Sequence, residues 1–91
     1  MNHINFTNRD IDVIAMALID NAVIGHLNKL EYNLAYDILE RLYEPVTLSK
    51  DDLTLICNSL RRYALKYEYE LLEVAECERV YNFILKEFRH E

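Results

Sequence analysis

The side chains able to do chemistry are few and scattered. Cys57 and Cys77 are the two cysteines, Glu87 and His90 have Glu-x-x-His spacing, and His3 and His26 complete the histidines. A thiolate zinc site needs four convergent ligands, and no histidine stands at ligand spacing from either cysteine. A di-iron bundle needs two Glu-x-x-His motifs and two further inward glutamates, whereas this chain has one motif, close to its last residue. It has no glycine-rich phosphate loop, no Gly-x-Ser-x-Gly, and no Cys–His pair with a third residue to orient it. The cysteines read best as small core residues. No catalytic residue, metal ligand or cofactor site is assigned, and the chain is expected not to be an enzyme.

Two charged clusters admit a binding role. Glu68, Glu70, Glu73, Glu76 and Glu78 crowd one stretch, either as a solvated helix start that complements the helix dipole or as an acidic face for a basic partner. Arg61, Arg62 and Lys66 interleave with Tyr63 and Tyr67. Ion pairing with the glutamates explains that patch more economically than nucleotide or RNA binding. The net charge is −6, and nonspecific nucleic-acid binding, which draws affinity from phosphate neutralisation, is disfavoured.

The elements that position these residues follow from an internal repeat of about 42 residues. Phe6-Thr7, Asp10, Ile11, Ile14, Leu18 and Ala22 return as Leu48-Ser49, Asp52, Leu53, Ile56, Leu60 and Ala64. Leu30 and Glu31 return as Leu72 and Glu73, and Ala35, Ile38 and Leu42 as Cys77, Val80 and Ile84. The matches fall at helical spacing. The expected fold is all-α: a four-helix bundle built from two tandem antiparallel helical hairpins, about 7–44 and 49–89, forming a single domain over 1–91.

Local signals set the boundaries. The first helix starts at Thr7 or Asn8 and ends near Gly25, which tolerates a left-handed C-cap. His26 to Lys29 makes the turn, and the second helix spans about Leu30 to Glu44, stopped by Pro45. Val46 to Leu48 links the copies, and Ser49 with Asp52 forms a capping box for a third helix ending near Lys66. The fourth begins between Tyr67 and Glu70 and reaches about Phe88, with a nearly continuous bent helix as the alternative at Tyr67. Ala15 and Ala35, and likewise Cys57 and Cys77, are expected to face each other at one level of each hairpin.

With 52% apolar residues, one glycine and one proline, the chain has enough core material and too few turn-formers for a β-rich fold. No apolar run approaches the roughly 18 residues of a membrane span. Met1-Asn2-His3-Ile4-Asn5 has no basic stretch or apolar signal core. A cytoplasmic protein without a membrane partner is expected.

The best binding clues are apolar and aromatic. Besides its Ile11, Ile14, Ala15, Leu18 and Ala22 stripe, the first helix has a second one, Met16, Ile19 and Val23, whose counterparts are Asn58, Arg61 and Leu65. Something should cover it: the other hairpin, a second copy or a foreign partner. Seven tyrosines exceed what so small a core buries, and tyrosine is favoured at interfaces. Met16, Ile19, Val23, Tyr32, Tyr36, Tyr67, Glu70 and Glu73 are the candidate partner-binding residues.

Thr7-x-x-Asp10-x-x-x-Ile14-x-x-x-Leu18, followed by Leu34-Ala35-x-x-Ile38-Leu39-x-x-Leu42, resembles short helical-hairpin proteins of bacteriophages and prophages. Tetratricopeptide repeats share the hairpin but have a period of about 34 residues. The phage resemblance implies a small protein that binds and inhibits, or adapts, a host enzyme, including defence or nucleic-acid enzymes. The alternatives are a homodimeric regulatory or DNA-associated protein using Arg61, Arg62 and Lys66, and a sponge for a charged small ligand.

Overall fold

The computed structural model describes residues 5–42 and 48–88, which contain four helices: α1 (Asn8–Val23), α2 (Lys29–Arg41), α3 (Lys50–Lys66) and α4 (Leu71–Phe88). The repeat is literal in the backbone. From Asn8 to Lys50, and from Lys29 to Leu71, is a step of 42 residues.

Equivalent side chains start the equivalent helices. Thr7 and Ser49 each accept a hydrogen bond from the amide three residues on, and Asp10 and Asp52 accept one back from the cap amide. Phe6 and Leu48 precede these caps and join the core, as hydrophobic staples do. The second helix starts one residue earlier than expected, because Asn28 and Glu31 form a third capping box. Its expected end at about Glu44, the Pro45 stop, and most of the linker lie outside the described residues.

Gly25 has a φ of +80°, the left-handed geometry a glycine accepts without penalty. The second turn needs no glycine. The Glu70 amide donates to the Tyr67 carbonyl at 2.8 Å, and the Glu70 carbonyl accepts from Val74 at 3.0 Å. α3 and α4 are therefore separate helices.

α1 and α3 form the centre. They pack against each other, and each also touches both outer helices, while α2 and α4 make no contact with each other among the described residues. The core repeats too: Ile14 with Ile56, Leu18 with Leu60, Ile38 with Val80, and Leu42 with Ile84, all at most 4% exposed. Burying each such side chain stabilises the fold by about 1.5–3 kcal/mol.

Where α1 crosses α3 the side chains are small or polar. Ala17, Asn21 and Ser59 are fully buried, and the Asn21 amide donates to the carbonyls of Ala17 (2.8 Å) and Ser59 (3.1 Å). The second buried stripe of α1 is thus Val13, Ala17 and Asn21, rotated away from Met16, Ile19 and Val23.

The expected facing of Cys57 and Cys77 does not occur. Cys57 lines a groove with Ile84 and Leu85, and Cys77 a different one with Leu60 and Ala64. The turn from Tyr67 to Glu70 is centred past Tyr67, which shifts the level of α4 against α3. Both cysteines are free.

Candidate protein-docking surface

Four of the eight candidate residues converge. Ile19 and Val23 from the last turns of α1, and Tyr32 and Tyr36 from α2, line one groove of about 220 Å³, floored by Ala22 and Ala35 with Leu39 at one end. The helical hairpin brings them together: residues four apart share a face on each helix, and the turn folds the two faces side by side. The small Ala22 and Ala35 keep the floor low. Ile19 is 50% exposed, Val23 78%, Tyr32 51% and Tyr36 62%. Neither hairpin covers this surface.

Met16 goes elsewhere. It is half-buried against the core and, with Leu72, Glu73 and Glu76, lines a groove of about 260 Å³ between α1 and α4. Glu73 therefore joins Met16 and not the tyrosines. Glu70 is exposed at the cap of α4. Tyr67 is structural, since it packs on the core and its hydroxyl donates to Asp20 at 2.9 Å.

The basic patch pairs differently from expectation. Lys66 bonds Asp20 at 3.1 Å, and Arg62 donates to the His26 carbonyl at 3.4 Å, so the partners come from the first hairpin and its turn. The glutamates divide as well. Glu76 is bonded by Arg9 and Arg79, both at 2.9 Å, whereas Glu68, Glu70 and Glu78 stay exposed.

A feature that residue-by-residue reading misses is that the groove occurs twice. Arg61, Ala64, Leu65, Cys77, Glu78 and Tyr81 line a groove of about 370 Å³ between α3 and α4, and each stands 42 residues after Ile19, Ala22, Val23, Ala35, Tyr36 and Leu39. Geometry is shared while chemistry diverges. Arg61 and Glu78 replace Ile19 and Tyr36, turning an apolar, aromatic groove into one with a cation on one wall and an anion on the other. The repeat offset, applied to the groove residues, is the signal that could have found it.

Nothing in this second groove favours chemistry at Cys77. Burial, reinforced by Glu73, Glu76 and Glu78, pushes its thiol up to about 11, and burial alone does the same for Cys57. Such thiols carry almost no thiolate near neutral pH. Of the histidines, His26 is exposed in the first turn, while His3 and His90 lie outside the described residues.

Among the described residues no helix is long and apolar enough to cross a membrane, and no cluster of His, Cys, Asp and Glu could hold a metal. No known protein family, curated protein or solved structure matches the chain.

Proposed function

We propose that the chain is a non-enzymatic protein-binding module whose α1–α2 groove receives an amphipathic helix of a partner protein. The observation that carries this reading is the convergence of exposed Ile19, Val23, Tyr32 and Tyr36 on one groove with an alanine floor. Such a groove accepts apolar side chains at i, i+3, i+4 and i+7 of a docked helix, and rigid tyrosines supply contact area at small entropic cost.

Charge narrows the partner. Up to Pro45 the chain has three basic and seven acidic residues, a balance of −4. A helix whose apolar face is flanked by Lys and Arg complements that field, and one flanked by carboxylates is repelled. The resemblance to phage-encoded hairpin proteins makes a nucleic-acid or defence enzyme of the bacterial host the first partner to try, with inhibition or bridging as the outcome of binding.

The test uses two synthetic helical peptides with the same apolar face, one Lys-flanked and one Glu-flanked, titrated into the labelled protein and followed by NMR. The Lys-flanked peptide should shift resonances of Ile19, Val23, Tyr32 and Tyr36, and Tyr36→Glu should abolish those shifts while the fold persists. Equal binding of both peptides, or shifts that survive Tyr36→Glu, would overturn the reading. Host proteins captured by wild type and lost with Ile19→Glu then become the candidate targets.

A further inference from the structure

The large apolar side chains that remain exposed are not spread over the molecule. Among the described residues, all of them fall between Ile19 and Tyr36 or between Leu65 and Leu72. These stretches flank the two hairpin turns, and the turns lie side by side: Arg62 reaches the His26 carbonyl, and Lys66 and Tyr67 both bond Asp20. One end of the bundle is therefore apolar. Among the described residues, the opposite end, where α1 and α3 begin and α2 and α4 finish, exposes none.

Six of these side chains lie outside the α1–α2 groove: Ile24, Leu30, Leu65, Tyr69, Leu71 and Leu72. Leu30 and Leu72 are repeat-equivalent, and they are 81% and 83% exposed. A leucine in the first turn of a helix, more than four-fifths exposed in both copies, buries little surface in its own fold. A large apolar side chain presents on the order of 100 Å², so these six together amount to several hundred square ångströms. As a sum, that is the scale of the largest apolar patch of an ordinary monomer, ~300–600 Å². It also approaches the roughly 800 Å² that each partner brings to a standard interface.

The charges around this end are self-complementary. The first turn carries exposed His26 and Lys29, and the second exposed Glu68 and Glu70. A two-fold axis that sets the first turn of one copy on the second turn of another brings Lys29 against the two glutamates twice over.

We propose that the turn end is a homodimer interface, in which two copies meet end to end with Leu30 and Leu72 in the seam and Lys29 facing Glu68 and Glu70. The interface does not depend on the docking reading; where both hold, the dimer presents two α1–α2 grooves to its partner.

Sedimentation equilibrium of the full chain, from low micromolar to submillimolar concentration, tests the proposal. Wild type should give a dimer, and Leu30→Glu/Leu72→Glu should weaken it about thirtyfold or more, as loss of interface hot spots does. Both positions are exposed, so the monomer of this variant should keep its helical circular dichroism. Lys29→Glu should also weaken the dimer, and adding Glu68→Lys and Glu70→Lys should restore it. A wild type that stays monomeric throughout, a dimer that survives Leu30→Glu/Leu72→Glu, or a charge exchange without recovery would overturn it. Ile19→Glu separates the two ideas, because it should spare the dimer while removing peptide binding.

Discussion

Arg79 of α4 holds the carboxylate of Asp10 at the start of α1, across 69 residues of chain and from the opposite hairpin. Arg41 of α2 does the same for Asp52 at the start of α3, at 3.2 Å. Both carboxylates are nearly buried, 3% and 4% exposed, and both also close capping boxes. Each hairpin thus supplies the guanidinium that neutralises the other's cap.

Acid should loosen this fold in part through Asp10. Burial alone would raise its carboxyl, but the Thr7 amide and hydroxyl and the Arg79 guanidinium outweigh it and hold the group below its ordinary 3.8. A carboxyl with a lowered folded-state pKa stabilises above the unfolded value, and that contribution fades as pH falls through the folded one. Thermal unfolding of wild type should therefore lose stability below about pH 4, and Asp10→Asn should show a shallower loss over that range. At neutral pH the same variant should be destabilised by about 1–3 kcal/mol, because Arg79 loses its charged partner and one acceptor oxygen remains for two donors, the Thr7 amide and the Arg79 guanidinium.

The α1–α3 crossing separates two costs. In Asn21→Ala, the Ser59 carbonyl loses its interhelical donor and a void opens, so a loss of about 1–3 kcal/mol is expected in urea unfolding. The Asn21 carbonyl oxygen and the Ser59 hydroxyl have no hydrogen-bond partner among the described residues. Replacing both residues at once, Asn21→Leu with Ser59→Ala, removes those unsatisfied atoms and keeps a branched side chain in the seam. The double variant should match or exceed wild type.

Thiol chemistry should be slow in the native state. With both thiols pushed up to about 11, Ellman's reagent near neutral pH should label the folded protein far more slowly than the urea-unfolded chain. Cys77, 1% exposed, should react last. Rapid labelling of Cys77 in the folded protein would contradict this structure.

Gly25→Ala isolates a backbone effect. No atom lies within 4 Å of the added methyl group, so crowding is absent and only the positive φ opposes it. A loss of about 1–2 kcal/mol is expected, with the helical content unchanged. A neutral outcome would mean that the turn re-forms in another geometry.

Much of this fold is legible because a helix writes its buried face into the sequence every three or four residues, and the repeat writes it twice. The capping box at Ser49 and the left-handed Gly25 are local signals of the same kind, and the Asn28–Glu31 box carries the same signature one residue ahead of the expected start of α2. Arg79 and Asp10 are not legible as partners, since nothing local connects residues so far apart in the chain. The second stripe of α1 reads as one surface in the sequence, yet Met16 turns toward Leu72 and Glu73 while Ile19 and Val23 face the tyrosines. Position along α1 decides that split, because α4 lies beside Met16 and α2 beside Ile19 and Val23, and only the placement of the outer helices reveals it. Tyr67 has interface-prone chemistry and instead anchors Asp20.

The sparse anchoring of α2 has a consequence for how the groove works. Its thirteen residues bury Ala35 and Ile38, whereas α1 and α3 bury whole faces, and it has no contact with α4 among the described residues. Its amides should exchange with deuterium sooner than those of α1 and α3, through openings short of global unfolding. Tyr32 and Tyr36 ride on that helix, so the aromatic wall of the groove is also its most yielding part. A bound helix would slow exchange across α2, and substitutions on its outer face that raise helix propensity would tighten binding without touching the ligand.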